Sequence, residues 1–151
     1  MYVLHLTRRG TTAAGMLVLL AAAAVLLAGC FEKEATPVTL PDEESRMAYL
    51  TELGWQVSPQ PVETLDLQLP AEWGETWQEY GALQAQQNFP FSDYAGQPVR
   101  RYTYAVTNYP HVEKGVQANL YLCGDVLIGG DIIATGQGGF QTVLTYPEGE
   151  K

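Results

Sequence analysis

The apolar positions of this chain form one dense run near the start and then a series of periodic segments. The run is Met16 to Leu27, MLVLLAAAAVLL, inside a stretch without charge from Gly10 to Phe31. Beyond it, Met47, Leu50 and Leu53 recur at three-residue spacing and predict a first helix over Pro41 to Leu53. Thr39 is the expected N-cap, Asp42 to Glu44 supply first-turn carboxylates that complement the helix dipole, and Gly54 is placed to end the helix. Gly54 to Val57 and Val62 to Leu69 read as extended, the second with Glu63, Leu65, Leu67 and Leu69 on its apolar side. Trp73, Trp77, Tyr80 and Leu83 then fall at helical intervals and give a second helix, reaching about Gln87, an aromatic stripe.

Asn88 to Gln97 has the composition of a structured loop, pinned by Phe89, Phe91 and Tyr94. Strands follow at Pro98 to Tyr109, with Tyr102, Tyr104 and Val106 on one side, and at Val116 to Cys123, with Val116, Ala118, Leu120 and Leu122 on one side. Gly124-Asp125 marks a tight turn into Val126 to Ala134, and Gly136 to Gly139 leads to a last strand, Phe140 to Tyr146. This order predicts an α+β fold: two helices packed on one face of an antiparallel sheet of about four to six strands.

Charge changes the reading of the first thirty residues. Arg8 and Arg9 precede the apolar run, and the first acidic residue is Glu32. The run is of signal-peptide length, about 7 to 15 residues, whereas a spanning helix needs about 20. Leu27-Ala28-Gly29-Cys30 has the form of a bacterial lipobox, whose small residues let a peptidase reach the bond before a lipidated cysteine. The expected organisation is a lipoprotein signal peptide over 1–29, lipidated Cys30 with a flexible spacer over 30–40, and a single domain over 41–151. An uncleaved signal that spans the bilayer is the competing reading. Both send the domain across the membrane, because arginines stay on the cytoplasmic side. The expected location is therefore the extracytoplasmic face of the cell membrane, held by a lipid anchor.

All 17 acidic residues follow Cys30, against six basic ones there, a net charge of −11 that argues against nucleic acid and against adhesion to anionic lipid. Lipidation of Cys30 would leave Cys123 without an intrachain disulfide partner, so the fold must rest on its core. No CxxC, HExxH or paired-histidine spacing occurs, and no cofactor is expected.

The candidate sites each have a plainer structural reading. Trp73, Trp77 and Tyr80 offer a stacking platform for a wall glycan or peptide, or else a core stripe; Tyr102 and Tyr104 offer hydroxyls at a groove. Asp125 and Asp131 put two carboxylates beside glycines, few for calcium and equally explained by a turn at Gly124-Asp125 and a bulge at Gly129-Gly130. Cys123, His111 and Arg100 or Arg101 hold the parts of a cysteine transpeptidase, but Leu120-Tyr121-Leu122 before the thiol is the wrong motif, and Cys123 reads as an apolar filler of its strand. No serine lies in a GxSxG elbow.

AYLTELGW after Arg46, FSDYAG from Phe91, RYTYAVTNY from Arg101, ANLYLCGDVLIGGDI from Ala118 and Gly139-Phe140 together resemble the bacterial lipoprotein family called domain of unknown function 4830. The resemblance spans nearly all of the chain after Cys30. It implies membrane anchoring and a common fold, and it carries no activity, ligand or catalytic residues. The expected function is a non-enzymatic binding or interaction module whose partner is an envelope protein or a cell-wall component. The rival is a small envelope hydrolase or transferase with an acidic or thiol centre. A concave site with converging reactive groups would favour the rival.

Overall fold

A computed structural model describes residues 36–147. Cys30 and the expected signal segment lie outside the described residues. The first helix, α1, runs Glu43–Glu52, and its cap is Asp42 rather than Thr39. The Asp42 carboxylate accepts the Ser45 backbone N–H at 2.8 Å while the Asp42 N–H donates to the Ser45 hydroxyl, a reciprocal pair that satisfies two orphan donors. Gly54, at φ 98, ends the helix in the left-handed conformation that glycine adopts without strain. Strand β1 is Glu63–Gln68, helix α2 is Glu75–Ala85, and a 3-10 turn over Phe91–Tyr94 leads into β2, Pro98–Val106. Strands β3, Val116–Cys123, and β4, Val126–Ala134, match the expected boundaries, whereas β5 shrinks to Gln141–Thr142 and the extended piece before β1 to a single bridge between Val57 and Val106. The β3–β4 turn has positive φ at Gly124 only, as a type II′ hairpin needs.

The five strands run in the order β1-β2-β3-β4-β5, each antiparallel to its neighbours. Class and sheet are those expected. The division of the helices differs from the single covered face. Successive strand residues point to opposite faces, and on β3 both Leu120 and its neighbour Tyr121 are buried. Leu120 belongs to a core with Tyr104, Ile132, Trp55, Leu144 and Leu50 of α1. Tyr121 belongs to another, with Val99, Ile128, Leu69, Phe91 and the aromatic residues of α2. The second face is filled largely by Tyr121 and by polar Thr103, Asn119 and Asp131, all buried, so its sequence reads as the wet side of a sheet.

The two edges of the sheet are handled differently. On β1, Leu65 is 43% exposed, against the apolar side expected of it, because β1 is the free edge strand and only its end, at Leu67 and Leu69, reaches the second core. Prolines 59, 61 and 70 flank it, and Asp66 and Glu63 pair with Arg100 and Arg101 of β2, devices that discourage edge-to-edge pairing. The β4 edge is closed piecemeal. Val38 and Leu40, in the expected flexible spacer, pair instead with the β3–β4 hairpin: Leu127 donates its N–H to Val38 O and Leu40 donates to Asp125 O. Farther along, two glutamines of the α2 region stand in for a strand. Gln84 Oε1 accepts the Gly130 N–H at 2.8 Å, and Gln87 donates to Gly130 O at 3.0 Å while accepting the Leu144 N–H at 2.7 Å. The sheet carries one bulge, at Ile128 rather than at the two glycines, where Tyr121 faces Gly129 and Leu122 faces Leu127. Among the described residues no helix is long and apolar enough to cross a membrane.

Candidate functional site

Strand register aligns Thr103, Asn119 and Asp131 side by side across β2, β3 and β4 on the second face. Their side chains form a chain of hydrogen bonds: Thr103 donates to Asn119 Oδ1 at 2.7 Å, and Asn119 Nδ2 donates to Asp131 Oδ1 at 2.7 Å. From β5, Gln141 Nε2 donates to Asp131 Oδ2 at 2.6 Å. Asp131 is 1% exposed. Burial pushes its carboxyl above the ordinary carboxylate range, and the bonds from Asn119 and Gln141 only partly oppose this. Tyr80 of α2 and Tyr121 of β3 adjoin it. Both phenols are raised, first by burial and then by the Asp131 charge.

Above this polar row lies a pocket of about 440 Å³, inside the roughly 300–1,000 Å³ range of small-molecule sites. Thr76, Trp77, Glu79, Tyr80 and Leu83 of α2 form one wall, with Tyr121 of β3 and Gln141 of β5 across from them. Its walls stay fixed because the aromatic rings interlock. Trp77 stacks on Phe91 with centroids 6.3 Å apart, Tyr80 meets Phe91 edge-on at 5.1 Å, and Tyr80 meets Tyr121 at 5.7 Å. Gly129 permits the approach of this cluster, since a Cβ there would lie 2.7 Å from Phe91 Cδ2.

Of the stripe expected to bind, Trp77 and Tyr80 line the pocket and Trp73 does not. The Trp73 ring fills the space over Gly81, where a Cβ would come within 2.6 Å of it, and its indole N–H donates to Pro70 O at 2.8 Å. Tyr102 and Tyr104 belong to the first face, engaged by α1. The Arg46 guanidinium lies 3.9 Å above the Tyr102 ring, its Nε donates to the Tyr104 hydroxyl at 3.1 Å, and that hydroxyl donates to Glu43 at 2.8 Å. Asp125 is exposed in its turn, and Asp131 is six positions along β4, roughly 20 Å at about 3.3 Å per strand residue, so one cation cannot use both. Among the described residues no three potential ligands converge on a metal position. Cys123 ends β3 and packs against the second core, while His111 precedes the opposite end of that strand, which separates the parts of a thiol centre. Sequence reasoning missed Thr76, Glu79, Asn119 and Gln141. The one available signal was the second parity of β3, Gln117-Asn119-Tyr121, whose polar members do not show by alternation that the face is covered.

The sealed carboxylate makes stability depend on pH in a defined window. A carboxyl whose folded pKa exceeds its unfolded value of about 3.9 favours folding when protonated, so its contribution is full below the unfolded pKa and is lost as pH rises through the folded one. Denaturant unfolding of the full chain should show stability rising as pH falls from 7 toward about 4, and Asp131→Asn should flatten that rise. Asp42 and Asp66 act oppositely and at lower pH. Their carboxyls are held below the ordinary value, Asp42 by the Ser45 backbone N–H and Asp66 by Arg100, so their contributions disappear on further acidification. Equal slopes in the parent and Asp131→Asn proteins would remove Asp131 as the source.

No family model, no curated protein and no solved structure matches this chain.

Proposed function

We propose that the protein is a non-enzymatic binding module of the cell envelope, held at the extracytoplasmic face of the membrane through a lipid on Cys30, with the pocket between α2 and the sheet as its ligand site. The observation that carries the binding reading is the composition of that pocket. Its walls are Trp77, Tyr80, Leu83 and Tyr121, interrupted by Thr76, Glu79 and Gln141, which is the mix of apolar surface and few polar groups that recognition uses. A reactive centre has less support. Among the described residues the one carboxyl with a raised pKa, Asp131, is sealed beneath the pocket with both oxygens occupied, out of reach of a substrate. The basic start, the apolar run and the lipobox support the address, and the resemblance to domain of unknown function 4830 agrees with an anchored module.

A photocrosslinking amino acid at Thr76, on the pocket wall, should capture an envelope component in living cells. The same residue at Gln78, exposed on α2 and outside the lining, should not. No adduct at Thr76, or equal capture at both positions, would remove the pocket as the ligand site. For the address, Cys30→Ser should leave an unprocessed precursor or release the domain from the membrane fraction; unchanged mass and fractionation would show that no lipid sits there.

A further inference from the structure

The pocket between α2 and the sheet is selective by charge as well as by shape. Three aromatic rings line it, and its one formal charge is the Glu79 carboxylate; no lysine, arginine or histidine is in the lining. A second carboxylate, Asp131, stands behind the Tyr80 and Tyr121 rings, close enough that its charge raises both phenols, after burial itself. Arg46 is committed to Glu43 and the Tyr104 hydroxyl on the other face and Arg100 to Asp66, while Arg101, paired with Glu63, also adjoins Tyr121 behind the lining and offsets part of the Asp131 charge, which leaves Glu79 as the charge the pocket itself presents. Around this, the chain after Cys30 carries 17 acidic residues against six basic ones. An anion entering the pocket would meet the Glu79 carboxylate with no counter-charge in the lining, and a purely apolar ligand would leave Glu79 without a role. Aromatic rings attract cations through the negative potential of their faces.

We infer that the pocket takes an organic cation, an ammonium or guanidinium group on a small molecule or on a peptide side chain, docked against Trp77, Tyr80 and Tyr121 with Glu79 as its counter-charge. This rests on the pocket being the ligand site, and it names the ligand's chemistry. Glu79 is exposed at the rim and sets preference, while the rings supply contact area.

The test is a calorimetric titration of the full chain in detergent micelles with four probes: choline, the neutral isostere in which its quaternary nitrogen is carbon, Nα-acetyl-lysine amide, and N-acetylglucosamine. At least one of the two cations should bind about tenfold more tightly than the isostere, and Glu79→Gln should weaken cation binding several-fold while leaving the isostere unchanged. Choline ahead of the lysine amide identifies a small quaternary ammonium ligand, and the reverse order a peptide side chain. Thr76→Arg, which places a like charge at the exposed rim, should abolish cation binding without changing the melting temperature. An isostere or sugar that binds as well as either cation overturns the inference but leaves the pocket a ligand site. Binding by neither cation also overturns it, and capture at Thr76 in cells then decides separately whether the pocket binds anything.

Discussion

Trp55→Ala should lower the unfolding free energy by about 3–5 kcal/mol, the usual cost of emptying a large buried aromatic site. Domains of this size are stable by roughly 5–15 kcal/mol, so the variant should be partly unfolded at moderate denaturant. Trp55 is 1% exposed and sits where the chain leaves α1. Its indole N–H donates to Leu144 O at 2.6 Å, and its ring stacks on Tyr109 at 5.8 Å and tilts against Tyr146 at 4.7 Å. It thereby ties the exit of α1, the end of β2 and the segment after β5 together. Alanine removes the ring contacts and also leaves the Leu144 carbonyl buried without its donor. Trp55→Phe keeps one six-membered ring and loses the N–H together with the rest of the indole, so it should cost less, about 1–3 kcal/mol. Urea unfolding followed by circular dichroism separates the two. A loss below about 1 kcal/mol for the alanine variant would show that the site collapses around the gap and that Trp55 is not the tie described.

The order of elements was legible in the sequence because it rests on local pattern. The three-residue spacing of Met47, Leu50 and Leu53, the alternation through Val116 to Leu122 and the Gly124-Asp125 turn each fix a segment without reference to the rest of the chain. What could not be read is what closes a sheet edge or covers a face. Gln84 and Gln87 look like the polar side of a helix until their amides are seen completing the ladder of β4. Asn119 and Asp131 look like outward-facing strand residues until α2 lies over them, and a sheet covered on both sides no longer shows its burial as alternation. The candidate site was half legible for the same reason. Trp77 and Tyr80 announce themselves by helical spacing, but Tyr121 and Gln141 join them only through the register of β3, β4 and β5, a long-range property. Trp73, one turn away from Trp77, shows the limit of spacing alone: Gly81 leaves a notch that draws its ring into the core instead.

Gly130→Ala should cost about 3 kcal/mol, at the upper end of overpacking by a single methyl, although no unusual backbone angle demands glycine there. The reason is space. A Cβ at Gly130 would lie 2.7 Å from Leu144 Cδ2 and 2.9 Å from the backbone oxygen of Asn119. Leu144 is itself buried at 1% exposure, and the Asn119 oxygen belongs to the adjoining strand, so neither contact yields easily. Relief requires β4 to shift, which breaks the bonds that Gln84 and Gln87 make to Gly130 and loosens α2 from the sheet. Gly124→Ala is the control. It has open space around the new methyl but a φ of 58, so its cost should be only the left-handed backbone penalty of about 1–2 kcal/mol. Paired denaturation curves should therefore rank Gly130→Ala well below Gly124→Ala in stability. Because Trp77, Tyr80 and Glu79 ride on α2 while Tyr121 and Gln141 ride on the sheet, Gly130→Ala should also weaken pocket binding under conditions where it remains folded, and Gly124→Ala should not. Equal stability of the two variants, or unchanged binding in Gly130→Ala, would mean that α2 is held to the sheet by its aromatic contacts alone.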